Sequence, residues 1–334
     1  MDFEKLKEAL ESEPAFRLKQ CRRAVYGEFV DSWKQATNLP KGLIEALEKS
    51  VPLAINAEIF ESRDKKTAKA LVTLEDGNKI EAVLMRHNDG RNTVCVSSQA
   101  GCGMGCDFCA TGKLGLKRNL TTSEIIDQVI IFERYLKPSG QRVTNVVFMG
   151  MGEPMANFEN VMAAIKILND KDSFNIGARR ISVSTCGIIG GIKRLAEFPL
   201  QVNLAVSLHA PNTELRSRIM PINKSFNIDR LMRALNNYLD KTGRKIMIEY
   251  VLLKGVNDSG QHAKELADLL KKSLGGLFMV NLIPYNKTEK YNPPDGKDIF
   301  NFKAILENTG IEVSQRHRFG HDIEGACGQL AAKS

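Results

Sequence analysis

Residues 93–112, TVCVSSQAGCGMGCDFCATG, set a short apolar strand against a glycine-rich loop with three cysteines, Cys102, Cys106 and Cys109. The strand half is rich in β-branched and small residues, as a buried strand is. The chain has seven cysteines, an odd number, and three of them crowd one loop, which points to reduced thiols with chemical roles rather than to disulfides. A structural zinc site takes four ligands, and His87 or His209 is available as a fourth. A cubane iron–sulfur cluster also takes four, one per iron. Three cysteines would then leave one iron open to a small molecule. Gly101, Gly103 and Gly105 let so short a loop wrap a cluster without Cβ clashes.

Around this stretch the chain reads as one large α/β unit with appendages. Its 334 residues are 43% hydrophobic, enough for a sizeable core. No apolar run reaches the length of a membrane span, and MDFEKLKEALESEP lacks the basic-then-apolar pattern of a signal peptide, so a soluble cytoplasmic protein is expected. The formal net charge of +8 invites a polyanionic partner such as RNA or DNA. The basic runs RLKQCRR (17–23), KLGLKR (113–118) and RHRFGH (316–321) concentrate that charge.

Residues 1–50 read as three short amphipathic helices, and 51–92 as an antiparallel hairpin turned at Asp76-Gly77. From 93 to 316 strands and helices alternate. Strands are expected at 93–98, 143–149, 180–185, 202–208, 245–253, 278–283 and 311–315. Between them, Thr121 with Glu124 forms a capping box for a helix over 122–136, and Asn227 and Gly243 bracket another. Such an alternation predicts a parallel sheet with helices outside, curled into a partial barrel of the (β/α)6 type. A C-terminal segment, 317–334, follows it.

In that architecture a site forms in the loops after the strands, and unusual residues gather there. The cysteine loop follows the first strand, and GMGEPMAN (150–157) follows the second with Gly152 and Glu153, a carboxylate suited to an ammonium group. Ser184, Ser207, Leu208, His209 and Asn286 stand at the ends of later strands, where they can meet a bound cofactor.

A C-x3-C-x2-C loop after the first strand of a β/α barrel resembles the radical S-adenosylmethionine (SAM) superfamily. The resemblance implies a [4Fe–4S] cluster on Cys102, Cys106 and Cys109, whose open iron is chelated by SAM itself, and a 5′-deoxyadenosyl radical as the product of SAM cleavage. CVSSQAGCGMGCDFCATGKLGLKRNLT, VFMGMGEPMAN, SVSTCGI, SLHAPN, RIMPIN, NLIPYN and GHDIEGACGQL together resemble the RlmN family of RNA adenine C2 methyltransferases, over about residues 15–333.

That family implies roles for two further cysteines. Cys327 takes a methyl group from one SAM; a second SAM supplies the radical that removes hydrogen from it; the resulting carbon radical adds to the adenine. Cys95 then attacks the Cys327 sulfur, freeing methylated RNA and leaving a disulfide for cellular reductant. Such exchange calls for accessible thiols of low pKa. Glu81 matches the family's proton acceptor, against the plainer reading of a solvent-facing strand glutamate. The implied substrates are one adenine in the peptidyl-transferase region of 23S rRNA and the adenine beside the tRNA anticodon, with a flavodoxin-like electron donor and a monomeric enzyme. The proline of GMGEP favours the C2 branch over the C8-methylating Cfr relatives. The basic N-terminal helices would position RNA. A non-catalytic iron–sulfur or zinc RNA-binding protein would leave Cys327 and GMGEP without a role, and a radical SAM enzyme acting on protein or metabolite would leave the Cys95/Cys327 pair unexplained. Cys21 is expected to pack among the N-terminal helices and Cys186 to line the barrel mouth.

Overall fold

Alternation along the strands decides what the sheet does with its two faces. The structure, a computed structural model, describes residues 3–287, 290–316 and 319–330. Its strands are β1 (Ala57–Glu61), β2 (Thr67–Thr73), β3 (Lys79–Arg86), β4 (Asn92–Cys95), β5 (Gln99–Gly101), β6 (Leu116–Asn119), β7 (Asn145–Phe148), β8 (Ile181–Thr185), β9 (Asn203–Ser207), β10 (Ile246–Leu252), β11 (Phe278–Pro284) and β12 (Val313–Gln315). Ten of them form one open sheet in the order β1-β2-β3-β4-β7-β8-β9-β10-β11-β12, and β5 with β6 makes a separate ribbon. The pairings from β4 to β12 are all parallel. The segments expected as barrel strands are these parallel strands, so the partial barrel is confirmed.

Cross-strand partners point to the same side of a sheet. One row therefore runs Val206, Ile248, Val280, Val313 across β9–β12, and a second joins Val94, Val146 and Ile181. These apolar rows face helices Thr122–Leu136, Phe158–Asn169, Ile189–Ala196, Ile228–Thr242, Gly260–Leu274 and Gly296–Asn308, as right-handed crossovers require. The opposite face carries Ser207, Glu249, Asn281 and Ser314 in one row. It is the concave side.

Caps fix the helices where the sequence signals them. Thr121 Oγ1 accepts from Glu124 N, and Glu124 Oε2 accepts from Thr121 N, closing the capping box. Asn227 accepts from Arg230 N, and Gly243 ends that helix at φ +60°.

The antiparallel segment holds three strands rather than one hairpin. Asp76-Gly77 turns β2 into β3, and residues 57–61 add β1 at the edge. Because β3 pairs with β4, this segment extends the barrel sheet itself. The N-terminal helices Phe3–Ala9, Phe16–Tyr26 and Lys41–Ser50 bury Cys21, as expected, and Trp33, whose indole N–H donates to Val51 O. Among the described residues no helix is long and apolar enough to cross a membrane.

Candidate active site

The cysteine loop is pinned from several sides. Gly101 has φ +76°, and a Cβ there would lie 1.9 Å from Gly115 O, so only glycine fits. The close approach lets Cys102 N donate to Gly115 O at 2.9 Å. Further on, Asp107 N donates to Ile219 O and Ala110 N to Gly328 O, while the Asp107 carboxylate receives Lys290 Nζ and Tyr291 Oη. Cys102, Cys106 and Cys109 line one cavity together with Gly152, Glu153, Ser184, Ser207 and His209.

Do these thiols suit a cluster? Burial pushes the Cys102 thiol up to about 11 and that of Cys106 higher still, so each needs positive charge beside it to sit as a thiolate. Iron bound there would supply that charge. Among the described residues, no three His, Cys, Asp or Glu side chains are arranged to hold a single metal ion.

Opposite the loop, Gly152 has φ +95°, and a Cβ there would strike Gln99 at 2.5 Å. This contact brings Glu153 into place. Glu153 Oε2 accepts from Cys186 N at 2.8 Å and Oε1 from Met155 N at 3.0 Å, so the carboxylate braces the loops after β7 and β8 while lining the cavity. Burial raises its pKa. His209, at φ +58°, accepts at Nδ1 from Val251 N at 3.0 Å. That contact places the proton on Nε2, and burial, aided by Arg216, lowers the imidazole pKa to about 3. The ring is thus a neutral donor, packed edge-on against Phe108. Arg216, wholly buried, donates to the carbonyls of Cys186, Ser207 and Leu208 and ties three loops together. The Leu208 side chain is buried away from the cavity, and Cys186 lines it as expected.

A second cavity adjoins the first. Val83, Met85, Cys95, Asn286, Phe319 and Leu330 line it, so Asn286 stands here rather than in the first cavity and donates to Cys327 O at 3.2 Å. Four residues line both cavities: Met149, Ile283, Arg316 and Cys327. Of these only Cys327 carries a nucleophile.

Cys95 corrects an expectation. It sits in a strand between β3 and β7, 6% exposed, and burial, reinforced by facing Cys327, pushes its pKa up to about 12. It is neither accessible nor of low pKa, because its wall is apolar. Arg316 supplies the neighbouring positive charge: its charged form is favoured first by Cys327, then by Glu249 and Cys95. Glu249 in turn accepts from Asn281 Nδ2 at 2.9 Å, and Asn281 Oδ1 accepts from Ser314.

Glu81 is 2% exposed and bridges Lys69 Nζ at 2.9 Å, so the solvent-facing reading is excluded. In the ladder Val83 faces Cys95. Glu81, two residues away, therefore shares the inner face with Cys95, although it lines neither cavity. Arg316 and Glu249 escaped the sequence reading. The available signals were a lone glutamate in the apolar strand KIMIEYVLL and an arginine directly after the last strand. The rest of RHRFGH includes His317 and Arg318, which lie outside the described residues.

Known proteins give the same picture. Residues 96–270 match the family model of the radical SAM superfamily. A Dictyoglomus thermophilum protein named "Probable dual-specificity RNA methyltransferase RlmN" is 46% identical over 99% of this chain and 95% of its own length. Its namesake from Bacillus subtilis is 46% identical over 96% and 88%. The crystal structure of a radical SAM methyltransferase from Sphaerobacter thermophilus superposes with a TM-score of 0.94 at 43% identity, covering 100% of this chain and 98% of that one.

Proposed function

The chain belongs to the radical SAM superfamily and, within it, to the RlmN family of RNA methyltransferases, and from that premise we propose that it methylates C2 of an adenine in RNA through a carbon carried on Cys327. It is a radical SAM RNA methyltransferase. The finer reading rests on one observation above the others: Cys327 stands on the wall shared by the cysteine-loop cavity and the slot that holds Cys95. A carrier thiol needs that position, because it must meet a methyl donor on one side and a base on the other.

Cys102, Cys106 and Cys109 would hold the cluster, with Gly152, Glu153, Ser184, Ser207 and His209 around SAM. Bound there, cluster and SAM supply a methyl group and a 5′-deoxyadenosyl radical. The chain's own residues do the rest. The Cys327 sulfur accepts the methyl group, and the same sulfur then holds that carbon while it bonds to C2, an electron-poor position that a sulfonium cannot methylate directly. Glu81, on the face it shares with Cys95, takes the C2 proton, and the one electron that the adduct must also shed would return to the cluster that supplied it. Cys95 attacks the Cys327 sulfur: an S–S bond forms, the S–C bond breaks, and its electron pair stays on the carbon, which takes a proton to become the methyl group. Arg316, whose positive charge acts on both sulfurs, favours the thiolate that this attack requires and opposes part of the burial that raises the Cys95 pKa.

The apolar slot of Val83, Met85, Phe319 and Leu330 suits a flat base taken out of its stack. The substrates are an adenine of the peptidyl-transferase region of 23S rRNA and the adenine 3′ of the tRNA anticodon, met in the cytoplasm by a monomer that a flavodoxin-like protein reduces. The test is anaerobic turnover of cluster-loaded protein with SAM, reductant and each RNA, followed by nucleoside mass spectrometry. The expected product is 2-methyladenosine. Appearance of 8-methyladenosine, or SAM cleavage with unmodified RNA, would overturn the C2 reading.

A further inference from the structure

We propose that the turn between β1 and β2, residues 63–66, is a contact for the RNA backbone that guides a nucleotide into the slot at Cys327. The proposal rests on the reading of that slot as the base site. Its cations are Arg63, Lys65 and Lys66, all exposed. Among the described residues none of the three forms an ion pair. Asp64, the carboxylate within the turn, is exposed too, but the turn itself engages it: its Oδ1 accepts from Ser62 Oγ at 2.7 Å and from Lys66 N at 3.0 Å. The three cations thus face solvent, while the one carboxylate of the turn is engaged in closing it.

The turn is attached to the segment that carries Cys327. Arg63 N donates to Asp322 Oδ2 at 3.0 Å, and a Cβ on Gly320 would lie 2.7 Å from Thr67 Cγ2. Phe319, Gly325, Ala326 and Cys327 of the same segment line the slot. A strand whose base enters between them brings its phosphates past the turn. Lys65 also takes φ +57°, the left-handed region where glycine would sit with less strain. A lysine stands there nonetheless.

The run RLKQCRR, which the sequence offered for the same task, is built differently. Arg17 faces Glu13 at 3.7 Å, Lys19 Asp172 at 3.3 Å, Arg22 Asp170 at 2.7 Å and Arg23 Glu28 at 3.3 Å. Its positive charge is answered within the protein, and Arg22 helps dock the N-terminal helices on the barrel. Phosphates gain more from cations that have no carboxylate to give up.

The test compares two triple variants, Arg63→Gln/Lys65→Gln/Lys66→Gln and Arg17→Gln/Lys19→Gln/Arg23→Gln. Binding of a tRNA transcript to each, and to the unaltered protein, is followed by fluorescence anisotropy across a salt series. The turn variant should bind about tenfold or more weakly at 0.15 M salt. Its log–log salt slope should fall by about 2, the share of three phosphate contacts on an unpaired strand. Its melting temperature should stay unchanged. The helix variant should keep both affinity and slope. Unchanged binding by the turn variant, or a loss confined to the helix variant, would overturn the proposal. Weaker binding with the original slope would also do so, since phosphate contacts must release ions. If the unaltered protein binds no RNA, the reading of the slot as a base site falls as well.

Discussion

Along β10, Ile246, Ile248, Tyr250 and Leu252 point outward beneath the helices, whereas Met247, Glu249 and Val251, between them, point into the chamber. The same shift by one residue separates Val94 from Cys95 and Ile80 from Glu81. The outer positions are apolar and wholly buried, so they hold the helices on by excluded area. The inner positions hold Cys95, Glu81, Glu249 and Ser207, and their polar groups answer one another: Glu81 with Lys69, Glu249 with Asn281. One face thus carries stability and the other the proposed chemistry, and a change on either should reveal which.

The largest effect belongs to the chamber. Replacing Cys327 with alanine should lower RNA methylation on the order of 10⁴-fold or more, as loss of a covalent carrier does. Its melting temperature should move by about 2 °C or less. Activity retained within tenfold would break the division at its centre. Lys69→Ala is the exception the inner face should show. It removes the ammonium paired with the buried Glu81 carboxylate, at a cost of about 3–5 kcal/mol in denaturant unfolding. The double variant Lys69→Met/Glu81→Leu should recover most of that stability while staying inactive, which separates the pair's structural cost from the base's role.

On the outer face, Leu204→Ala should cost about 3 kcal/mol by cavity formation and leave turnover per folded molecule within twofold. A selective loss of turnover there would mean that the faces are coupled. The last effect, confined to high pH, concerns a polar flaw among the outer helices. Glu133 is 1% exposed, its oxygens lack a hydrogen bond, and Arg142 stands no nearer than 3.7 Å. Burial, only partly opposed by Arg142, lifts its carboxyl to about 7. A raised carboxyl pKa favours the folded state below the unfolded value, near 4.5, and that support is lost as pH rises through about 7. Glu133→Gln should therefore stabilise by about 3 kcal/mol at pH 8 and by little at pH 4. Equal effects at both pH values would contradict the assignment.

The outer face was legible because it repeats. Apolar alternation located the parallel strands from residue 93 onward, and Thr121, Asn227 and Gly243 marked helix ends through local chemistry that needs no partner far along the chain. The cysteine loop was legible for a similar reason, since its spacing is local. What escaped was made by contact between distant segments. The carboxylates that neutralise 17–23 come partly from residues 170 and 172. Arg316 meets Glu249 only when β12 closes beside β11, and the burial that raises the Cys95 pKa comes from β3 and the segment after β12. Asn286 sat at the expected strand end, but the curvature of the sheet carried it to the second cavity.

The most direct test follows carbon across the wall at Cys327. Cys95→Ala protein, cluster-loaded and anaerobic, is given SAM with a deuterated methyl group, reductant and rRNA, then digested with nuclease and protease for mass spectrometry. The account predicts an adenosine joined through one deuterated carbon to the peptide that contains Cys327, with little free methylated RNA. Full yield of methyladenosine with no such adduct would contradict it.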